Sequence, residues 1–410
     1  MATETLANDV YHCLVISGGG AKGAYGAGAA KAIENYRAKK KITNPLVYVG
    51  ASAGALNAYL LASAGADEAI RFWRQANNRN ILGVWVRWPF WNFVCGWLIS
   101  KVPGRGPFSI YSNKALAKLI ADNVHLDALK APLVIATTDY TRGELRAFYS
   151  HPLVAAAVAE DAKLKDGARR LGHLREIKTD ELLRAALLAS SAIPIFFPPV
   201  SMEIEHNGQT ETNWFVDGGV GNHTPTREAA YVLRYYFGDQ LKKPQLLEES
   251  VVYCISQDPP RTIQGKPKLK FFDILMRTQE VYHHVHTKPI IKAWHRINQE
   301  VDKQKDRVSL FRSWIATLVL TPELKQEIGA KVQKEFLNLG GDEAPRLSAE
   351  LIEFEPQANL GNAMDFKPAA AESAITLGYA DTLSALRYAG KLDKAEHEAL
   401  LNEKIWEDRP

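Results

Sequence analysis

The sequence LVISGGGAKGAYGAG, residues 14–28, contains a glycine-rich turn that joins an apolar run to a segment of small residues. Gly18, Gly20 and Gly23 fit G-x-G-x-x-G, the spacing of a turn that binds a dinucleotide. That interpretation also needs an acidic residue about 20 positions on, after a second strand, to bind the ribose hydroxyls. The second apolar run, 46–49, is followed by GASAG instead. The glycines therefore either cradle a phosphate or turn backbone N–H groups toward another negative charge.

Composition and charge limit the class of protein only loosely. The 410 residues are 46% hydrophobic, enough to bury the core of one large domain or two ordinary ones. The net charge of +4, from 50 basic and 46 acidic residues, is too balanced to indicate a nucleic-acid partner. Cys13, Cys95 and Cys254 lie far apart, the first and last in apolar runs, so we expect reduced thiols in a cytoplasmic protein.

No targeting or membrane-spanning segment is expected. The N-terminal sequence MATETLANDVYH lacks the basic and apolar regions of a secretory signal. Only residues 81–100 approach the length of a membrane span, and Arg87, Pro89 and Asn92 interrupt them. An arginine at the centre of a span costs about 2.5–3.5 kcal/mol on insertion scales, so we predict no transmembrane helix there.

Strand-like and helix-like segments alternate along the chain. The segments predicted as strands are 12–17, 46–50, 132–140, 214–216 and 251–256. The segments predicted as helices are 24–36, 53–61 and 182–191. This alternation favours an α/β fold with a mostly parallel sheet covered on both faces, in which sites lie at the carboxyl ends of the strands.

A second motif, GASAG, lies between a predicted strand and a predicted helix and places Ser52 between Gly50 and Gly54. This is the pattern of a nucleophile elbow, a turn so sharp that only small neighbours fit. It holds the serine at the top of the sheet, near a helix N-terminus. G-x-S-x-G alone is common by chance, and its strand and helix context is what favours a catalytic Ser52.

The third motif, Asp217-Gly218-Gly219, ends the run NWFVDGG. Asp-Gly pairs most often mark plain turns, but this pair is predicted to end a strand of the same sheet. A carboxylate there can accept the Ser52 proton and so activate a weak nucleophile. The nearest histidine in sequence, His223, is expected to be a loop residue and not the third member of a triad.

In this order, GGGAKG, GASAG and VDGG resemble the motifs of the patatin-like phospholipase family, whose sites use a Ser–Asp dyad. Further matching stretches are VIATTDYTRGE, ALLASSAIPIFFPPV and GYADTLSAL. The likeness covers roughly 12–62 and 108–230, and more weakly 347–390. It implies a three-layer α/β/α sandwich with a mainly parallel central sheet, lipid acyl hydrolysis and no cofactor.

The same resemblance implies a role for the glycine loop. The residues that it assigns to the oxyanion hole are Gly18, Gly19, Gly20, Ala21, Lys22 and Gly23. Backbone N–H groups of Gly19, Gly20 and Ala21 would face the oxygen that becomes negative when Ser52 attacks an ester. Lys22 stands where the family usually has arginine, which keeps the charge but loses the fork that can brace several carbonyls.

A single domain over 10–390 is predicted, with terminal extensions at 1–9 and 391–410. A stretch without family resemblance, about 238–346, is expected to be a mostly helical insertion that acts as a lid, a substrate wall or an oligomer contact. The oligomeric state is not predicted.

Two histidines inside this insertion, His283 and His286, are spaced i, i+3. Structural zinc normally takes four ligands, and no further ligands cluster nearby, so we expect no metal.

Four tryptophans, Trp85, Trp88, Trp91 and Trp97, lie within thirteen residues of one another. Aromatic stripes usually pack into a core. The functional alternative is an interfacial anchor that gives peripheral contact with a membrane, as Trp and Tyr do at its polar boundary.

Three alternatives to hydrolysis remain open on sequence alone. The same dyad would serve a lipid acyltransferase, although malonyl-type transferases resemble G-H-S-x-G and this chain has Ala51 before the serine. A Rossmann-like nucleotide-binding protein would use the glycine loop differently. A catalytically dead scaffold is disfavoured because the dyad and loop residues are all present.

Overall fold

The computed structural model of the chain describes most of its length. The described residues are 10–83, 109–165, 169–206, 209–241, 245–258, 288–300, 321–328 and 349–403, with isolated positions between 281 and 313. The tryptophan segment, His283 and His286 lie outside the described residues.

Within this part of the chain, nine strands form one mixed sheet. The strands are β1 His12–Ile16, β2 Leu46–Ala51, β3 Leu133–Asp139, β4 Glu144–Ser150, β5 Leu174–Glu176, β6 Val200–His206, β7 Gln209–Asp217, β8 Val251–Ile255 and β9 Glu350–Phe354. Their order is β5-β4-β3-β2-β1-β8-β9, and β7 pairs with both β3 and β6. Five of the eight pairings are parallel, while β3–β4, β3–β7 and β6–β7 are antiparallel.

Helices cover both faces of the sheet. They are α1 Gly23–Lys39, α2 Ala53–Ser63, α3 Ala66–Gln75, α4 Asn78–Leu82, α5 Lys114–Asn123, α6 Pro152–Ala162, α7 Asp180–Ser190, α8 Gly218–Asn222, α9 Thr226–Arg234, α10 Gln245–Glu248, α11 Pro368–Tyr388 and α12 Lys394–Asn402. Short helical turns occupy Gly20–Lys22, Leu126–Ala128 and Tyr235–Gln240, and residues 288–300 are also helical.

Alternate residues of the central strands feed two separate cores, which is why their sequences are apolar throughout. On one face, Leu14 and Ile16 pack with α1, α2, α3 and α11. On the other, Cys13 and Val15 pack with α6 and α9. The result is the predicted three-layer α/β/α sandwich with a mainly parallel sheet.

One predicted strand lies within the range 238–346, which lacks family resemblance. This strand, β8, pairs in parallel with β1 at the centre of the sheet. Residues 251–255 are therefore part of the main sheet.

Candidate active site

The site forms where two strands end on the same edge of β3. One edge of β3 pairs with β4 along its whole length, from Leu133 to Asp139. The other edge pairs first with β2, where Ala51 lies opposite Ala136, and then with β7, where Asp217 lies opposite Thr137. Because β2 runs parallel to β3 and β7 runs antiparallel to it, their carboxyl ends meet head-on. This brings the residues that follow Ala51 against Asp217.

Ser52 occupies a strained turn between β2 and α2. Its backbone has φ 54° and ψ −128°, a positive φ that a residue with a side chain rarely adopts. Gly50 and Gly54 permit the turn, because a Cβ on either would overlap backbone carbonyl groups. The Ser52 N–H donates to the Ser190 hydroxyl at 2.8 Å, and that hydroxyl donates to the Ala136 carbonyl at 2.7 Å. The predicted elbow geometry is therefore present, fastened to α7 and β3.

Asp217 is a buried carboxylate with one satisfied oxygen. It is 1% exposed, and Oδ1 accepts the Gly219 N–H at 2.6 Å. Oδ2 has no hydrogen-bond partner of normal geometry among the described residues. Burial raises the pKa of Asp217 to about 6, while the neighbouring Ser52 hydroxyl, the Gly219 N–H and His223 act in the opposite direction. Ser52 is thus adjacent to the carboxylate without a closed hydrogen bond, a common state in sites without substrate.

Gly218 and Gly219 begin α8 directly after Asp217, where the chain passes close to β2 and β3. A Cβ on Gly218 would overlap the Ala136 carbonyl oxygen and lie 3.3 Å from the Ala51 Cβ. The close passage of the chain at this point holds Asp217 beside the elbow.

Two N–H groups of the glycine loop are already used inside the protein. The N–H of Gly18 donates to the His223 carbonyl at 3.1 Å, and the N–H of Ala21 donates to the Ala363 carbonyl at 2.7 Å. The carbonyl of Ala363 also lies where a Cβ on Gly20 would be, and Gly20 has φ +58°. The predicted donor Ala21 is therefore engaged by a residue far along the chain.

Gly19 and Gly20 differ from their neighbours in this respect. Neither N–H donates a hydrogen bond within the described part of the chain. Gly20 also lines the same cleft as Ser52. Of the three predicted oxyanion donors, these two keep an N–H free for a substrate oxygen.

Lys22, the charged residue of the glycine loop, is buried and pairs with a carboxylate. Its side chain is 3% exposed, and Nζ pairs with Asp258 Oδ1 at 2.9 Å. The other oxygen of Asp258 lies 3.0 Å from His223 Nε2. Burial alone would raise the pKa of Asp258, but Lys22 and His223 outweigh it and hold this pKa well below its usual range. Gly23, the last loop residue, begins α1 against the Trp73 ring.

An apolar cleft opens beside Ser52. It encloses about 390 Å³ of empty space that is continuous with solvent. Its lining includes Gly20, Leu56, Trp73, Leu116, Phe197, Met364 and Phe366. Phe366 stacks on Trp73, with ring centroids 6.4 Å apart. The cleft thus joins the elbow, α2, α3, α5 and a segment that precedes α11.

Sequence reasoning missed three residues of the site. Asp258 follows β8 at the carboxyl end of a strand beside β1, and that position was the signal that could have revealed it. Ser190 stands in an apolar helix and gave no signal. Ala363 acts through its backbone carbonyl, which any residue carries.

Two features are absent from the described part of the chain. No helix in the described ranges is long and apolar enough to cross a membrane. No group of three or more His, Cys, Asp or Glu side chains that could hold a metal ion occurs among the residues that the structure describes.

Comparison with known proteins confirms the predicted family. The patatin-like phospholipase model matches residues 14–230, more than half of the chain. None of the curated proteins matches this chain. Among solved structures, VipD from Legionella pneumophila is similar at 15% identity and a TM-score of 0.35, over 92% of this chain and 67% of that one, a likeness too weak to support an argument. The fold and the site thus define an α/β protein with a serine elbow, and the chain belongs to the patatin-like phospholipase family. Membership supports a lipid acyl hydrolase.

Proposed function

We propose that this protein is a serine acyl hydrolase that cleaves fatty-acyl esters of phospholipids or related lipids through a Ser52–Asp217 dyad. One observation carries the proposal: the carboxyl ends of β2 and β7 meet on one edge of β3, so the elbow serine lies beside a buried carboxylate at an apolar cleft. A pKa of about 6 leaves Asp217 mostly ionised at neutral pH and close to the value that favours a general base.

The first half of the reaction acylates the serine. Asp217 takes the Ser52 proton as Oγ attacks the ester carbonyl carbon, and the carbonyl oxygen becomes an oxyanion held by the N–H groups of Gly19 and Gly20. The intermediate then collapses. The bond to the leaving alcohol breaks, and that alcohol receives the proton from Asp217.

The second half releases the fatty acid. A water molecule gives a proton to Asp217 and attacks the acyl carbon, and the new oxyanion uses the same two N–H groups. When it collapses, Ser52 leaves and recovers its proton from Asp217. Since one carboxylate serves as base and acid in both halves, no histidine is needed in the proton path.

The substrate class is inferred from the apolar cleft. Its walls come mainly from aliphatic and aromatic side chains and it begins at Ser52. An acyl chain placed there gains roughly 0.8 kcal/mol for each buried CH₂ group. A lipid ester therefore presents its carbonyl to the elbow while its chain lies along the cleft.

The test is an assay of purified protein on mixed phospholipids, lysophospholipids, triacylglycerol and a short-chain nitrophenyl ester. We expect released fatty acid, and we expect Ser52→Ala to abolish it. Ser63→Ala is the matched control, because Ser63 is a buried serine of the same helix that donates to the Tyr59 carbonyl. A fluorophosphonate probe should label wild type and Ser63→Ala but not Ser52→Ala. Labelling that survives Ser52→Ala would assign the nucleophile to another serine.

The same assay separates the alternatives. An acyltransferase would deliver the acyl group to an added alcohol or lysolipid in preference to water. A nucleotide-binding protein would retain NAD(P) or ATP in a pull-down and release no fatty acid. A dead scaffold would do neither.

Contact with a membrane through Trp88 and Trp91 stays a prediction, since these residues lie outside the described part of the chain. Replacing both by alanine should lower vesicle binding and hydrolysis of aggregated lipid while leaving the short-chain ester nearly unaffected. If both activities and the melting temperature fall together, these side chains belong to the core.

A further inference from the structure

We propose that Asp258 is a positioning residue that fixes the glycine loop relative to the acid turn, so that the free N–H groups of Gly19 and Gly20 face the reacting carbonyl. The inference rests on the proposed function and extends it to a residue outside the family match, which ends at 230. Its basis is a set of contacts that links three separate parts of the chain.

Asp258 holds one end of the loop through Lys22. The Lys22 Nζ lies 2.9 Å from Oδ1 of Asp258, and the two side chains are 3% and 18% exposed. Lys22 closes the short helical turn that contains Gly20. A fixed Lys22 therefore limits how far the two N–H groups in front of it can turn.

Through its other oxygen, Asp258 reaches the beginning of the loop. Oδ2 lies 3.0 Å from His223 Nε2, and the His223 carbonyl accepts the Gly18 N–H at 3.1 Å. The imidazole also packs against the loop, since a Cβ built on Gly18 would lie 2.9 Å from the ring and 3.1 Å from the Ser52 Cβ. One carboxylate thus joins both ends of the loop to the segment that follows Asp217.

The strand before Asp258 is fastened to the same loop. The Ser17 N–H donates to the Ile255 carbonyl at 2.9 Å, and the Gln257 N–H donates to the Ser17 hydroxyl at 2.8 Å. Gln257 is fully buried with its amide directly against Gly19. Residues 255–258 therefore pack along the glycine loop, and the backbone that follows β8 holds Asp258 in position.

A loop of glycines needs such support. Glycine has no side chain to restrict its backbone, so Gly19 and Gly20 can rotate their peptide groups unless neighbours prevent it. A site has to hold its groups to within about 0.5 Å of the productive geometry. The buried ion pair supplies a rigid reference, because separating its charges inside the protein is costly.

The test compares Asp258→Asn, Lys22→Met and the double variant on a soluble short-chain ester. We expect each to lower kcat by about 10–100-fold with little change in KM, below the ~10²–10³-fold loss that follows removal of one oxyanion donor. The double variant removes both charges together and leaves neither ion unpaired. It can therefore be assayed even if a single variant folds poorly. Because the two residues act as one unit, the fold-loss in kcat of the double variant should be smaller than the product of the two single-variant losses.

A trifluoromethyl ketone inhibitor separates positioning from general damage. It forms an oxyanion on Ser52, so its inhibition constant should rise in the variants in parallel with the fall in kcat/KM, whereas a non-reactive ether analogue of the ester should bind as before. The matched control is Asp180→Asn, which removes another carboxylate that pairs with a histidine and a cation, His125 and Arg184.

The outcomes are distinct. If the folded double variant keeps wild-type kcat and inhibitor affinity, Asp258 does not position the loop. If Asp180→Asn lowers kcat as much as Asp258→Asn, the effect is general and the inference is also lost. If wild type hydrolyses no ester and takes up no fluorophosphonate, the proposed function itself fails.

Discussion

Asp217 is a buried carboxylate and Asp258 a largely buried one, 18% exposed, and their surroundings shift their pKa values in opposite directions. Burial raises the pKa of Asp217 to about 6, because the Ser52 hydroxyl, the Gly219 N–H and His223 offset the desolvation only in part. Asp258 is also desolvated, yet Lys22 and His223 keep its pKa well below the usual range. Burial alone therefore does not decide the charge of a carboxylate; its partners do.

The difference matches two different tasks. A general base has to gain and lose a proton in each cycle, which requires a pKa near the working pH. A positioning residue has to stay charged throughout, which requires strong partners. Variants of Asp217, Asp258, His223 and Lys22 test this contrast.

The largest effect is expected for Asp217→Asn, which keeps the shape of the side chain but cannot take the Ser52 proton. General base catalysis is worth about 10²–10⁴-fold, so kcat should fall by that factor, more than for Asp258→Asn. Steady-state hydrolysis of a short-chain ester measures it. Adding Ser52→Ala should make Asp217→Asn no worse than Ser52→Ala alone, because the dyad acts as a unit. Equal losses of kcat in Asp217→Asn and Asp258→Asn would contradict the assignment of different roles to the two carboxylates.

Stability should change with opposite sign in the two variants. The raised folded-state pKa of Asp217 favours the protonated form, so its contribution to stability is present at low pH and is lost as pH rises through about 6. At pH 7.5 the free energy of unfolding of Asp217→Asn should then exceed that of wild type by up to about 3 kcal/mol. Near pH 4 this difference should disappear.

For Asp258 the sign is reversed. Because its pKa is lower in the folded than in the unfolded protein, Asp258 contributes stability at pH values above its unfolded-state pKa. This contribution is lost as the pH falls below that value. Asp258→Asn should therefore be less stable than wild type at pH 7.5. Urea unfolding at two pH values tests both statements, and a shift of the same sign in both variants would contradict them.

The pH profile should show a smaller effect. The base form of Asp217 is required, so kcat/KM should rise with pH through about 6. The charge of His223 lowers this pKa, so His223→Asn should move the acid limb to higher pH, whatever it does to the maximal rate. A limb that stays in place would show that His223 does not influence the base electrostatically.

Lys22→Arg should have the smallest effect. Arginine keeps the charge that pairs with Asp258 and is the residue that the family usually carries at this position. Its activity should stay near that of wild type, well above that of Lys22→Met. If Lys22→Arg loses as much as Lys22→Met, the pairing depends on the exact length of lysine and not on charge.

Local patterns predicted the parts of the site that depend on backbone geometry. Ser52 and Asp217 stand where short motifs of small residues follow apolar strands, so motif and context together predicted that the two would lie at strand ends. The predicted strand 214–216 is longer in the structure, Gln209–Asp217, because residues 209–215 pair with β6 in a hairpin whose first residues are polar.

The remaining parts of the site depend on contacts between distant segments. Lys22 and Asp258 are 236 positions apart, and Ala363 reaches the loop from just before α11. Neither contact leaves a local pattern in the sequence. Strands β4 and β6 were missed because charged residues interrupt their apolar runs: Glu144 and Arg146 in β4, Glu203 and Glu205 in β6.

The position of β1 at the centre of the sheet has a consequence for synthesis on the ribosome. β1 pairs early with β2, but its other edge waits for β8, where Cys13 lies opposite Val252. At about 5–20 residues per second, that partner emerges roughly 10–50 s later. During this interval the nascent chain exposes an apolar strand edge of the kind that recruits chaperones or aggregates. The yield of folded protein should therefore depend on translation speed and chaperone supply as well as on final stability.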